Sequence, residues 1–474
     1  MGEGFLRAYH ALPDPLRAIP VFVRGWQLRR WRYGAETESL VEAALERETW
    51  SAGRWRAWSE ERLAYVLHRA ATRVPYYREY WSARRRRGDR ASWERIEHWP
   101  VLEKEAVRAR PQAFVADDCA PSRMFRLSTS GTTGTPLKIF ESRATVRARY
   151  ALFEARCRRW HGVTSRDRWA VLGGQLVVPV SQRRPPFWVW NAPLRQLYMS
   201  SYHLAPDTVA AYLDAWVRYG VVYVEGYTSA LYVLAQEALR LERFVPSLRL
   251  ALTNAEPVYP YQREAIVRAF AAAVRETYGM AEMVAAASEC EAGTLHAWPE
   301  VGWVELVADP DASDGTGELV CTSLLNADMP LVRYRVGDRA SLAPPGAACP
   351  CGRGLPVFHR LEGRSDDILV LPDGRRVGRL DPVFKADLPI REAQVVQETV
   401  WDVRVRVVAA PGFEDEHAEA IARRLRDRLG EVRVMVERVP ELPRSANGKF
   451  RAVVSRVSGG QGAGAGPARG GGGA

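Results

Sequence analysis

The stretch Ser128-Thr129-Ser130-Gly131-Thr132-Thr133-Gly134-Thr135-Pro136-Leu137 constrains this chain more than any other. It is built of hydroxyls and glycines and carries no charge. Glycine permits close backbone approach and unusual φ/ψ, so such a loop can wrap a phosphate chain with N–H groups and hydroxyls. It is not a Walker A loop, which needs Gly-Lys followed by Ser or Thr. Here Thr135 follows Gly134, and Lys138 comes only after Pro136. A flexible linker would share this composition. Linkers rarely sit between apolar runs such as Met124–Leu127 and Leu137–Phe140, however.

The chain has 474 residues, more than one ordinary core holds, so two or more domains are expected. Its 47% hydrophobic and 26% charged residues are those of a soluble globular protein. The formal net charge of +11 is mostly arginine, in short runs such as Arg84–Arg87 rather than one tail. With none of the common nucleic-acid motifs, the charge reads as arginine-rich composition with an anionic small molecule as a secondary cause, and no nucleic acid partner is expected. No apolar run reaches the roughly 20 residues that span a bilayer. Met1–Arg7 lacks a long apolar core and Ala18–Val23 is too short for a signal peptide. Six cysteines in such a length are no disulfide scaffold, and a reducing cytoplasm is the expected location. Ile19–Tyr33 mixes apolar, aromatic and basic residues. It reads either as a peripheral contact with an anionic membrane or as an amphipathic element packed on its own domain.

Residues 34–100 read as helical, interrupted at Pro75-Tyr76-Tyr77. From about 124, strand-like and helical stretches alternate. Ala170–Val180, Val221–Glu225 and Leu248–Asn254 read as strands; Thr208–Tyr219, Ser229–Leu241 and Tyr261–Val274 read as helices. This alternation predicts an α/β architecture with a largely parallel sheet. Residues 301–343 are richer in β formers. Asp373-Gly374 between Ile368–Leu371 and Arg375–Val377 predicts a tight hairpin. Ala393–Ala409 then reads as strand, Asp415–Leu429 as helix and Val432–Val439 as strand, a compact α+β module. The glycine-rich Ser458–Ala474 is expected to be disordered.

Four further segments follow the loop: Tyr278-Gly279-Met280-Ala281-Glu282, Tyr334-Arg335-Val336-Gly337-Asp338, Leu361-Glu362-Gly363-Arg364-Ser365-Asp366-Asp367 and Pro443-Arg444-Ser445-Ala446-Asn447-Gly448-Lys449. In this order they resemble the adenylate-forming superfamily of acyl-CoA synthetases, nonribosomal adenylation domains and luciferases, over roughly residues 70–455. Val74-Pro75-Tyr76-Tyr77-Arg78, Glu225-Gly226-Tyr227, Asn326–Tyr334 and Cys349-Pro350-Cys351-Gly352-Arg353 are similar to phenylacetate–CoA ligases and the CapK-like proteins of polysaccharide clusters.

The resemblance implies a large N-terminal domain, 1–363, a small mobile α+β domain, 364–457, and a tail, 458–474. It implies joining a carboxylate to the α-phosphate of ATP, with pyrophosphate expelled. Lys449 would bridge the two anions in the transition state, and Glu282 would hold Mg²⁺, a hard cation that takes oxygen ligands. Ser128 to Gly134 would hold the phosphates. Tyr278 and Gly279 would lie by the adenine with Ala255 and Glu256 of the Asn254–Pro257 loop. Asp338 would accept the ribose hydroxyls and Arg364 would hold the ribose-phosphate side. Asp366 would be the hinge, and Tyr227 a candidate for the acid's pocket. The implied acceptor is CoA, although the run after Asp367 resembles the CapK-like branch and leaves an amine or hydroxyl acceptor open. A nucleotide-binding protein without turnover in a polysaccharide pathway is the reading of another class. Monomer and oligomer are both compatible with the sequence.

Cys349 and Cys351, with Cys290 and His296 upstream, make a Cys₃His set suited to tetrahedral Zn²⁺, matching a structural zinc of some phenylacetate–CoA ligase relatives. The alternative is two buried thiols and an incidental histidine.

Overall fold

The computed structural model describes residues 3–128, 137–179, 181–205, 207–308, 315–364, 369–372, 376–377, 383, 388–429, 431–444 and 450–457. Thr129 to Gly134, Asp366, Asp373-Gly374, Lys449 and the tail 458–474 lie outside the described residues. The chain divides into a large unit, Met1–Leu361, and a small one built from Glu362–Arg444 and the residues from Phe450 on.

The large unit opens with helices α1 (Glu3–His10), α2 (Asp14–Arg32), α3 (Thr37–Arg47), α4 (Ala52–Arg73) and α5 (Pro75–Arg86). Ser51 caps α4, its side chain accepting from the Arg54 N–H at 3.3 Å. Pro75 restarts the chain as a helix, because a first-turn position needs no N–H donor. The helical expectation for residues 34–100 fails beyond Gly88, whose φ of +77° turns the chain away. Helix α6 (Lys104–Ala109) follows, then the antiparallel strands β1 (Phe125–Ser128) and β2 (Lys138–Glu141), and α7 (Arg143–Phe153).

An eight-stranded sheet forms the centre. Its strands are β3 (Trp169–Gly173), β4 (Trp188–Asn191), β5 (Gln196–Ser200), β6 (Tyr223–Tyr227), β7 (Leu250–Asn254), β8 (Ala273–Gly279), β9 (Ala286–Glu289) and β10 (Leu295–Ala297). The order is β10-β9-β8-β7-β6-β3-β5-β4. Strands β5, β3, β6, β7 and β8 run parallel, with antiparallel β4 on one side and β9 on the other. Helices α8 (Val209–Tyr219), α9 (Thr228–Arg240) and α10 (Pro260–Phe270) lie between successive strands, as parallel crossovers require. Two expectations are corrected. The helix predicted to reach Val274 stops at Phe270, because Ala271 takes a left-handed φ of +50° and β8 begins at Ala273. The strand predicted over Ala170–Val180 ends at Gly173.

A second sheet has the order β11 (Gly302–Ala308), β12 (Gly317–Ser323), β13 (Tyr334–Leu342), β14 (Phe358–Arg364). One buried apolar cluster joins it to α4, α5 and β2. In the small unit, β15 (Leu369–Val370) pairs antiparallel with β16 (Arg376–Val377). The main sheet there is β17 (Ile390–Gln397), β18 (Asp402–Ala409), β19 (Arg433–Arg438) and β20 (Val453–Ser455), in the order β19-β18-β17-β20, with helix α11 (Asp415–Leu429). The single run expected over Ala393–Ala409 is two strands. The Thr399 hydroxyl accepts from the Trp401 and Asp402 N–H groups and turns the chain between them. The architecture is thus α/β in the large unit with a small C-terminal α+β unit. No helix among the described residues is long and apolar enough to cross a membrane.

Candidate active site

The glycine-rich loop joins β1 to β2, with Ser128 at the end of β1 opposite Lys138. The base of this hairpin is held from one side. The Asn326 amide donates to the Phe140 carbonyl at 2.9 Å, and the Phe140 N–H lies 3.2 Å from Met329 Sδ. Tyr77, fully buried, accepts from the Val332 N–H at 2.9 Å and donates to the Pro330 carbonyl at 3.2 Å. The Val74–Arg78 and Asn326–Tyr334 segments therefore brace one another and, through Phe140, the strand leaving the loop. Backbone bonds between Leu102 and both Arg333 (2.8 Å) and Arg335 (3.0 Å) bring the start of α6 beside β13.

That placement assembles a polar group from three segments distant in sequence. Tyr278, at the end of β8 beside Gly279, donates its phenol proton to Asp338 Oδ2 of β13 at 2.7 Å. Burial, then the Asp338 carboxylate, hold that phenol's pKa well above its ordinary value. Glu282, also buried, accepts from Tyr334 at 2.9 Å and from Lys104 Nζ at 3.2 Å, both at Oε1. Burial, then Glu282, push the Tyr334 phenol far up. Two residues beside this group have left-handed backbones without being glycine: Met283 (φ +48°) and Arg333 (+49°). Such strain persists only where the surroundings enforce it, and it concentrates at functional sites.

The carboxyl ends of the parallel strands form a second part. Tyr227 ends β6 with its ring beside Gly173, the end of β3. The chain builds β5 on one side of β3 and β6 on the other, the kind of reversal beside which open α/β sheets bind ligands. In the same strand the half-buried Glu225 carboxyl accepts from the Asn254 amide at 3.2 Å; desolvation raises its pKa, against the opposing pull of Arg158. Ala255 follows β7, and Glu256 accepts from the Ser229 N–H (2.8 Å) and hydroxyl (3.1 Å) in the first turn of α9. Phe187–Trp190 is packing: Trp188 meets Tyr212 edge-on and Trp190 stacks on Tyr219. Arg364 closes β14. Neither Lys104 nor Glu225 stands in the sequence as a site residue. Lys104 did leave a signal: Lys104, Lys138, Lys385 and Lys449 are the only lysines among 67 basic residues. Where arginine is the default cation, a retained lysine marks a place that wants a compact charge.

The Cys₃His residues are together. One donor atom from each of Cys290, His296, Cys349 and Cys351 lies within 4.8 Å of the others. Cys290 follows β9, His296 sits in β10, and the two strands pair as a hairpin. Gly352, at φ +77°, closes the turn carrying the other pair, its N–H donating to the Cys349 carbonyl at 3.0 Å. The Cys290 and Cys349 sulfurs are 3.7 Å apart, and Cys351 Sγ is 3.3 Å from His296 Nε2. Bonds of about 2.3 Å to a tetrahedral ion put two sulfurs about 3.8 Å apart, whereas a disulfide needs about 2.05 Å. The other ring nitrogen, Nδ1, lies 3.3 Å from the Leu355 carbonyl, an outer partner that aims Nε2 at the sulfurs. The donor set and its spacing fit zinc.

Residues 369–456 match the family described as the CapK C-terminal domain. Protein CapK of Staphylococcus aureus is 23% identical over 384 residues, covering 78% of this chain and 82% of that one. A phenylacetate–coenzyme A ligase of Thermus thermophilus is 28% identical over 249 residues, 44% of this chain and 54% of that protein. Among solved structures, a 2-hydroxyisobutyryl-CoA ligase in the postadenylation state superposes with a TM-score of 0.64 at 21% identity, covering 86% of this chain and 91% of that one. The chain is thus similar to Protein CapK over most of its length and to phenylacetate–CoA ligases over part of it, and it shares the fold of a CoA ligase caught after adenylation.

Proposed function

We propose that this protein activates a carboxylic acid with ATP and hands the acyl group on, with CoA as the acceptor. A carboxylate oxygen attacks the α-phosphorus, the bond to the β-phosphate oxygen breaks, and that electron pair leaves with pyrophosphate. A thiolate then attacks the acyl carbon and AMP departs. The observation that carries this reading is the convergence of Tyr278, Glu282, Tyr334 and Asp338 from two separate motifs, through bonds of 2.7 and 2.9 Å.

In this reading Asp338 holds the ribose, with Tyr278, Gly279, Ala255 and Glu256 around the base. Residues Ser128 to Gly134 hold the β- and γ-phosphates, and Arg364 the ribose-phosphate side. Lys449 sits between carboxylate and α-phosphate, where a preformed cation offsets the charge that builds up in the transition state. Asp366 is the hinge between the half-reactions, and Tyr227 faces the acid. Glu282 fits Mg²⁺ as a buried carboxylate with one oxygen already fixed, and the ion would neutralise phosphate charge there. Cys290, His296, Cys349 and Cys351 would hold a structural Zn²⁺ that pins the β9–β10 hairpin to the 349–352 turn. The named activities of the ligase relatives support acid activation. The second reading is an amine or hydroxyl acceptor, which stays open because residues 369–456 match a domain described as CapK and not as a CoA ligase.

The test is carboxylate-dependent exchange of labelled pyrophosphate into ATP over a broad acid panel. Exchange should appear with some acid and fall roughly 100-fold or more in Lys449→Ala, with a strong fall in Glu282→Ala. Absence of exchange with every acid would refute the activity. CoA added to the active mixture then separates a thioester product from the second reading.

A further inference from the structure

Helix α2 carries a large apolar face on the side turned away from the protein. Its inner side carries Arg17, Gly25 and Leu28, all buried, with Gly25 so close to Asn191 that no side chain would fit. At 3.6 residues per turn, Leu16, Ile19, Phe22, Val23 and Trp26 fall on the opposite side. Each of these is between 46% and 61% exposed, and Phe5 of α1 is 50% exposed. Isolated exposed apolar residues are ordinary, but a whole helix face of them marks an interaction surface.

Cations border this face. Arg29 and Arg30 are exposed, and neither has a carboxylate partner among the described residues. Arg30 lies 4.7 Å from the Trp26 ring, in cation–π contact. At the other end, Arg17, Arg183 and Arg184 line a cleft of about 650 Å³. The acid there, Asp14, is bound to Arg17 at 2.6 Å.

We infer that α2 docks this protein on an anionic lipid surface, lying along it with Ile19, Phe22 and Trp26 in the headgroup–acyl boundary and the arginines among the headgroups. An apolar face with an aromatic residue and flanking cations is the chemistry that anionic bilayers bind. The alternatives fit the charges less well. A second copy would bring the same unpaired arginines together. The chain's own tail, 458–474, is glycine, alanine and a few polar residues, and has no large apolar side chain to cover the face.

The experiment is co-sedimentation of the full chain with sonicated vesicles of phosphatidylcholine and phosphatidylserine at 7:3, against pure phosphatidylcholine. Binding should require phosphatidylserine and fall at 0.5 M NaCl, where exposed charges are screened within a few ångströms. It should weaken at least tenfold in Phe22→Ser/Trp26→Ser and again in Arg29→Gln/Arg30→Gln. These residues are exposed, so both variants should melt as wild type does. The inference is overturned if wild type stays in the supernatant, or if the apolar variant pellets as wild type does. It is also overturned if sedimentation velocity without vesicles shows a dimer that the apolar variant turns into a monomer, since the face is then a contact between copies.

Discussion

Lys104 shows what a single side chain does to the proposed metal-binding carboxylate. Glu282 is buried with Lys104 and Tyr334 both on Oε1. A buried carboxylate that loses a donor keeps its desolvation penalty without the compensation, on the order of 1–3 kcal/mol. Lys104 is partly exposed, so water takes up part of that loss in Lys104→Met. The expected result is a variant that folds, exchanges pyrophosphate at least tenfold more slowly, and needs more Mg²⁺ for half-maximal rate. Tyr334→Phe should move the same Mg²⁺ dependence less, because a neutral donor is lost rather than a charge. An unchanged Mg²⁺ dependence in Lys104→Met would reduce the pair to an ordinary ion pair. Tyr278, Glu282 and Asp338 were legible in the sequence as members of motifs. The bonds from Tyr278 to Asp338 and from Tyr334 to Glu282 were not, because these depend on where β8 ends and β13 begins. Lys104 carries no motif at all, and only the scarcity of lysine singles it out.

Among the elements, the boundaries misread from sequence are those whose stop signal is chemically quiet. Helix α10 ends on Ala271 in a left-handed conformation, where glycine is the usual residue, and the apolar run continues into β8. The turn between β17 and β18 is made by a threonine hydroxyl, with neither glycine nor proline to announce it. By contrast the β15–β16 pair, and the two cysteines beside Gly352, follow from short-range chemistry and were readable. The four sulfur and nitrogen donors come two from the β9–β10 hairpin and two from the 349–352 turn, so an ion there would fasten the one to the other. Purified protein should hold one zinc per chain by elemental analysis. Stripping it with a strong chelator should lower the melting temperature by several degrees, because metal binding to the folded state is folding free energy. Cys351→Ser should melt lower than wild type and hold less zinc. A metal-free protein whose Cys351→Ser form melts like wild type would leave four packed side chains and no centre.

At the scale of the whole molecule, the arginine excess that the sequence presents as composition is in part internal structure. Arg156 is fully buried and grips Glu300 with both terminal nitrogens at 2.8 Å, while Arg47 adds a third contact at 3.0 Å. Glu48 lies 3.5 Å from Arg156 and accepts from Arg353 at 3.1 Å and from Trp160 at 2.8 Å. The network ties α3, the turn after α7, the start of β11 and the 349–354 turn into one body. Sequence gives the number of arginines but not which of them fold inward, since that depends on carboxylates more than a hundred residues away. Burial alone would raise the Glu300 pKa. The Arg156 and Arg47 guanidiniums outweigh it, and the carboxyl titrates below its ordinary value. A folded-state pKa below the unfolded one, near 4.3 for glutamate, gives stability that is complete above the unfolded value and is lost as the pH falls through the folded one. Glu300→Gln should therefore be less stable than wild type at pH 7, by about 3 kcal/mol, since it leaves buried Arg156 with only the more distant Glu48 carboxylate at 3.5 Å. As the pH falls below about 4 the gap should close, because wild type then protonates the same carboxyl. Chemical-denaturation midpoints between pH 3 and 7 measure both quantities. Two profiles that stay parallel down to pH 3 would mean that Glu300 titrates alike in the folded and unfolded chain, and that the Arg156–Glu300 pair does not hold the segment after α7 to the start of β11.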